Sequence, residues 1–170
     1  MVGWLLTLAA FVAAQRLAEL SLAAANRRRL LALGAREYGA GHYPLFIILH
    51  SGWLGGWLAE GMLRGAPGAG WPVWVAFFIA AQLLRYWCII SLGRRWNTRI
   101  LVLPGAPLVV RGPYRFIRHP NYLAVALELA CAPLIFGAWV TALAASLANA
   151  WLLLRVRIPA EEAALAGKEG

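Results

Sequence analysis

The sequence predicts an all-α fold: a polytopic transmembrane helical bundle of about five spans with a C-terminal helical hairpin. Three observations predict it. The 170 residues are 62% hydrophobic and only 14% charged, with a mean hydropathy of +0.66, too apolar for a soluble domain of this size. The apolar residues gather into runs near the roughly 20 residues that a bilayer requires. Arginines crowd some of the intervening segments and avoid another, as in a membrane protein of defined orientation.

The first run covers about residues 3–25 and is closed by "NRRR". The second covers about 44–63, and the third about 71–92, closed by "GRRWNTR". Two shorter runs follow, about 122–138 and 140–156, joined only by "FGAW", which predicts the tight hairpin. Pro133 is placed to bend the fourth run. One membrane domain over 1–170 is expected, with three spans in 1–92, a loop over 93–121, the hairpin in 122–158 and a tail over 159–170.

The net charge is +9, and the chain has no Asp. Arg27, Arg28, Arg29 and Arg36 lie between runs one and two. Arg94, Arg95, Arg99, Arg111, Arg115 and Arg118 lie between three and four, and Arg155, Arg157 and Lys168 follow the last. The loop between runs two and three holds only Arg64. The positive-inside rule then predicts a bacterial inner-membrane protein with its N-terminus outside and its C-terminus in the cytoplasm. Topology accounts for the charge, so no nucleic-acid partner is expected. Trp4, Trp71, Trp74 and Trp139 fall near run ends, like an interfacial belt. No basic residue precedes the first run, and Arg16 and Glu19 interrupt it, so it does not read as a cleaved signal.

Several features read as packing. Cys88 and Cys131 sit in apolar runs as small buried hydrophobes. Gly52 and Gly56 have the spacing that lets helices approach closely, within one chain or between two, so the oligomeric state stays open. Gly65, Gly68 and Gly70 with Pro67 predict a turn. No glycine fingerprint follows a strand, so no Rossmann domain is expected. Three scattered histidines without Asp do not suggest a protein metal site. His50 reads as a hydrogen-bonded packing residue, and His42 receives no role.

Ionisable groups inside a membrane need partners. Arg16 and Glu19 share a face of the first run, Gln82 and Arg85 a face of the third, and Glu128 lies in the fourth. The favoured expectation is interhelical ion pairing of Glu19 or Glu128 with Arg16 or Arg85. The alternative is a polar lining around a substrate head group.

Residues 111–122, "RGPYRFIRHPNY", pose the functional question. Arg111, Arg115, Arg118 and His119 stand directly before an apolar run. They can be a cationic anchor with a proline-started helix, or a site for a polar cofactor at the membrane surface. After the hairpin comes "RIPAEEAAL", residues 157–165, in which Arg157 and Glu161 are four apart and share a helical face.

This R-H-P-x-Y and E-E-x-x-L combination, separated by a hairpin, resembles the isoprenylcysteine carboxyl methyltransferase family. The matching residues are Leu108 and Val109, Gly112 and Tyr114, Arg118 to Pro120 and Tyr122, then Arg157, Glu161, Glu162 and Leu165. The resemblance implies a membrane enzyme that uses S-adenosylmethionine to methylate an oxygen of a lipophilic or prenyl-like acceptor. It implies cofactor contacts from Leu108, Val109, Tyr114, Arg118, His119, Pro120, Asn121, Tyr122 and Glu161, within a cytoplasmic loop and tail. It implies a substrate-contacting, catalytic role for Arg157. "NRRRLLALGAREYGAGHYPLFIILH" is further similar to a short bacterial branch associated with type III polyketide synthases and alkylpyrone methylation. Two positions depart from the family pattern: Ala106 stands where members often carry His, and Ala124 where they carry Gly. The chain also ends nine residues after Glu161.

Methyl transfer is an in-line displacement in which positioning matters most, and an acceptor already ionised needs no strong base. Two rival classes remain. One is an NADPH-dependent membrane reductase of the steroid-reductase type. The other is a non-enzymatic small membrane protein, which leaves the RHPNY and Arg157/Glu161 constellation without a purpose.

Overall fold

A computed structural model describes residues 2–167. Helix α1 (Val2–Ala32) leads to a short strand β1 (Arg36–Tyr38) and then α2 (Tyr43–Arg64). Helix α3 (Trp71–Leu92), strand β2 (Ile100–Val102), α4 (Pro120–Ile135) and α5 (Trp139–Leu152) follow. A π-helical turn at Leu153–Arg157 carries α5 directly into α6 (Ile158–Leu165). The helical membrane-bundle class agrees with the sequence expectation. Three helical stretches, Val2–Ala32, Trp71–Arg95 and Trp139–Leu165, are long and apolar enough to cross a membrane. α2 and α4 complete the bundle. The 16 residues of α4 reach only about 24 Å, short of a typical hydrocarbon core. Pro133 lies in the last turn of α4, and the Leu129 carbonyl that its missing N–H leaves free accepts from Trp53 Nε1 at 3.0 Å.

The helices outrun their expected ends at two places. α1 does not stop at "NRRR" but continues to Ala32, because Arg and Leu are good helix formers. The side chain of Asn26 also docks this turn, donating to the Trp96 carbonyl at 2.8 Å. The helix closes at Gly34, whose φ of 88° lets the Gly34 N–H reach Leu31 O and the Ala35 N–H reach Leu30 O. The tail, in turn, is the end of the last long helix. Lys168, counted among its cations, lies outside the described residues.

The two strands have no counterpart in the sequence expectation. They pair antiparallel, with Glu37 opposite Leu101, and join the segment after α1 to the one after α3. Three-residue strands are too short to show alternation, which explains their silence in the sequence. Glu37 binds Arg27 (2.8 Å) and Arg99 (2.5 Å). Burial pushes its carboxyl up, but the bonds from Arg99 and Arg27 outweigh this and hold it below the usual carboxylate range.

The arrangement separates the two ends of the bundle. Trp4 meets Trp71 and Phe136 edge-on at 5.1 and 5.7 Å, and the Gly68 N–H bonds to Ile135 O at this end. Trp139 lies under Arg64 there as well. The ribbon, the ends of α1, α3 and α6, and the start of α4 all lie at the other. Both arginine-rich segments therefore share one end of the molecule. The core between the ends packs Trp53, Trp57, Phe136, Leu5, Val12 and Leu129. Gly56 lies close against α5: an added Cβ would sit 3.0 Å from Thr141 Cγ2. Gly52 has nothing within 4 Å of its Cβ position, so the close approach rests on Gly56 alone.

The ion-pair expectation holds within the core. Arg16 Nη2 donates to both oxygens of Glu128 (2.8 and 2.7 Å), Arg85 pairs with it in bidentate fashion through Nε and Nη2, and Gln82 adds a bond at 2.6 Å. Glu19 binds Arg16 at 2.6 Å and Arg85 at 3.3 Å. Gln15 adds a 2.6 Å bond to Gln82. Two arginines and two glutamates thus tie α1, α3 and α4 into one neutral cluster. His50 contributes a local bond to Phe46 O, as a packing histidine does.

Candidate active site

The candidate site forms where α4 begins and α5 runs into α6. Pro120 opens α4: its missing N–H costs nothing in the first helical turn. Tyr122, one turn in, points toward the last long helix. There the π turn widens the backbone over Leu153–Arg157, and such turns re-aim side chains. Arg157 is 6% exposed, whereas Arg155, two residues earlier, is exposed to the surroundings.

Three side chains meet at this point. The Tyr122 hydroxyl donates a short hydrogen bond to Glu161 Oε2. It accepts one from Arg157 Nε at 3.0 Å. Arg157 Nη2 donates to the Thr98 carbonyl at 2.9 Å, and its guanidinium lies 5.8 Å from the Phe46 ring centre. The expected common face of Arg157 and Glu161 is thus realised through one tyrosine. His119 stacks on Tyr122 at 5.4 Å and 19°, with its Nε2 3.5 Å from Glu162 Oε1. His119 Nε2 and Asn121 Oδ1 are buried and make no hydrogen bond among the described residues.

Tyr114 approaches from a 3₁₀ turn over Gly112–Arg115. Burial raises the pKa of its hydroxyl, and Cys88, Glu161 and Tyr122 raise it further, so it stays protonated. Its placement depends on Gly112, where φ is 60° and an added Cβ would sit 2.0 Å from Ser91 Oγ. Arg111 Nε holds the same serine's carbonyl at 2.7 Å. Gly112→Ala is expected to lose roughly 1–2 kcal/mol from the left-handed backbone alone, plus the clash. A lowered thermal midpoint relative to the parent checks this.

The remaining sequence candidates lie apart from this cluster. Leu108 and Val109 line a groove of about 390 Å³ with Leu92, Arg95 and residues 107–111, and Leu108 is 66% exposed. Arg118 is exposed and has no ion pair among the described residues. Ala124 is fully buried, and Ala106 is half-buried. The sequence reading missed Thr98, Phe46 and Cys88, and it named Glu162 in the motif without giving it a role. Glu162 was visible as the second glutamate of "EE". The others act through a backbone carbonyl, an aromatic face and a thiol, which have no motif.

A family model for isoprenylcysteine carboxyl methyltransferases (ICMT) matches residues 74–167. The chain belongs to this family. Its apolar helices and its family make it a membrane methyltransferase. The matched stretch contains Cys88, Thr98, Tyr114, His119, Tyr122, Arg157, Glu161 and Glu162, so all of the cluster except Phe46 lies in the ICMT region. Similarity also runs beyond that region. YpbQ of Bacillus subtilis (strain 168), described as an uncharacterized protein, is 42% identical over 163 residues, covering 95% of both chains. An uncharacterized protein of Haemophilus influenzae is 29% identical over 158 residues, covering 92% of this chain and 91% of its own. No solved structure matches this ICMT-family chain.

Proposed function

We propose that the protein uses S-adenosylmethionine to methylate an oxygen, either a carboxylate or an acidic hydroxyl, of a lipophilic acceptor. The acceptor enters from the lipid, and alkylpyrone-type polyketides and isoprenylcysteine-like carboxylates are the first classes to try. The site faces the cytoplasm at the arginine-rich end, in a bacterial inner membrane. The observation that carries this reading is the meeting of His119, Tyr122, Arg157 and Glu161 beside two buried polar atoms that make no hydrogen bond among the described residues.

Those atoms fit the cofactor's polar groups. His119 Nε2 and the first turn of α4 are matched to a carboxylate, since helix starts leave N–H groups unpaired. Asn121 Oδ1 and Glu161 are matched to an ammonium or a ribose hydroxyl. Tyr114, protonated, is a further donor, and Leu108, Val109, Arg118 and Pro120 complete the expected binding segment. The cofactor supplies the electrophilic methyl group on its sulfonium. Arg157 holds the acceptor's anionic oxygen. Its Nε and Nη2 are already engaged, which fixes the guanidinium plane and leaves Nη1 without a partner among the described residues. The Phe46 ring lies over the guanidinium at 5.8 Å. No general base is required, because the acceptor reacts as its anion.

Calorimetry of S-adenosylhomocysteine and NADPH, each titrated into detergent-purified protein, tests the reading. Micromolar binding of the first alone is the expected result. Binding of NADPH alone moves the protein to the reductases, and binding of neither by folded protein overturns the cofactor assignment. His119→Ala is expected to weaken S-adenosylhomocysteine by about threefold to tenfold, the worth of one hydrogen bond. Unchanged affinity counts against the role of His119.

A further inference from the structure

A second groove, of about 370 Å³, opens at the arginine-rich end and has no part in that mechanism. One wall is the last turns of α1, with Leu20, Ala23 and Ala24 followed by Arg27 and Arg28. Tyr43 and residues 97–99 form the other. The α1 wall is a single helical stripe, apolar nearer the middle of the span and cationic at its end. Glu37 clamps Arg27 and Arg99 side by side, and Arg99 is also held 4.0 Å from the Tyr43 ring centre. Arg28 is exposed and has no ion pair among the described residues. Two of the three guanidinium groups thus share one carboxylate and Arg28 has none, so the groove is left electropositive on a preorganised frame.

A free inorganic anion would use the cations and leave the apolar half of the groove wet. An amphiphile uses both. Its phosphate is held by Arg28 and Arg99, and its first methylene groups cover Leu20 and Ala24. We propose that the groove binds the head group of an anionic phospholipid from the surrounding bilayer. Basic residues at a membrane face attract such lipids, and here they line a shaped cleft between helices. Thr98 forms part of the wall and also accepts from Arg157, so the lipid groove and the candidate active site share a residue. The binding itself does not depend on the methyl-transfer reading.

Delipidated, detergent-purified protein tests this with added phosphatidylglycerol, phosphatidylcholine and inorganic phosphate. Native mass spectrometry follows retention, and thermal unfolding follows stabilisation. Phosphatidylglycerol is expected to be retained and to raise the midpoint more than phosphatidylcholine does. Inorganic phosphate is expected to do neither. Arg28→Gln is expected to weaken phosphatidylglycerol about fivefold, the worth of one cation at an anionic surface. Ala24→Trp keeps every charge but fills the groove, and should weaken it as well. Both positions are exposed, so both variants keep the core intact. Equal retention of the two lipids overturns the proposal, as does stabilisation by phosphate equal to that by lipid. Wild-type phosphatidylglycerol retention in Ala24→Trp also overturns it, by placing the lipid elsewhere.

Discussion

Replacing Arg157 with alanine is expected to lower methyl transfer by about 100-fold or more, the usual cost of removing a fixed charge-stabilising donor. S-adenosylhomocysteine affinity should fall far less. The asymmetry follows from the contacts. Arg157 reaches the cofactor candidates only through the Tyr122 hydroxyl, whereas Tyr122 bonds Glu161 directly. Removing the guanidinium therefore empties the acceptor side and leaves the Tyr122–Glu161 pair in place. Arg157→Lys keeps the charge but loses the fork that spans Tyr122 and Thr98, so it should recover activity only partly. Labelled cofactor, with a lipophilic acceptor found by screening, measures the first quantity, and calorimetry measures the second. Equal loss of both would overturn the assignment of Arg157 to the acceptor.

Glu128→Ala is expected to be the most destabilising single change. It leaves the Arg85 guanidinium, 2% exposed, and that of Arg16 without the carboxylate they share. Breaking a buried pair from one side costs about 3–5 kcal/mol, a large share of a typical domain's stability. The neutral route through the same cluster is milder. Replacing Glu128 and Arg85 together with leucine removes one charge of each sign and leaves Arg16 paired with Glu19. The double variant should recover much of the loss. Thermal unfolding in detergent distinguishes the cases. Wild-type stability in Glu128→Ala would mean that the cluster is wet and not a sealed ion-pair network.

The buried charges show how far a sequence of this kind can be read. Arg16, Glu19, Arg85 and Glu128 announce themselves because charge inside an apolar run is costly and must be paired. The reading named the four partners but left their pairing open. The structure resolves it into one cluster, because Glu128 on a short α4 can be reached by arginines from two neighbouring helices. The candidate site divides in the same way. His119, Tyr122, Arg157 and Glu161 could be named from the sequence because they stand in motifs that resemble the family, and the structure adds that the four side chains meet. The groove at Leu108 and Val109 matched equally well, yet it lies on a different lining from the cluster. Thr98 was illegible, since its contribution to Arg157 is a backbone carbonyl that every residue carries.

The sequence by itself determined the class of the molecule: apolar helices long enough to span, with arginines gathered in particular loops and a hairpin before an R-I-P-x-E-E tail. Bilayer thickness and the cost of buried charge impose these features on local composition, so composition reveals them. Tertiary structure alone decided that Glu37 ties two distant loops into a ribbon and that a π turn aims Arg157 at Tyr122. It alone opened a cationic groove beside α1. Such meetings depend on how each helix is rotated and tilted against its neighbours, and packing sets that geometry where hydropathy is silent.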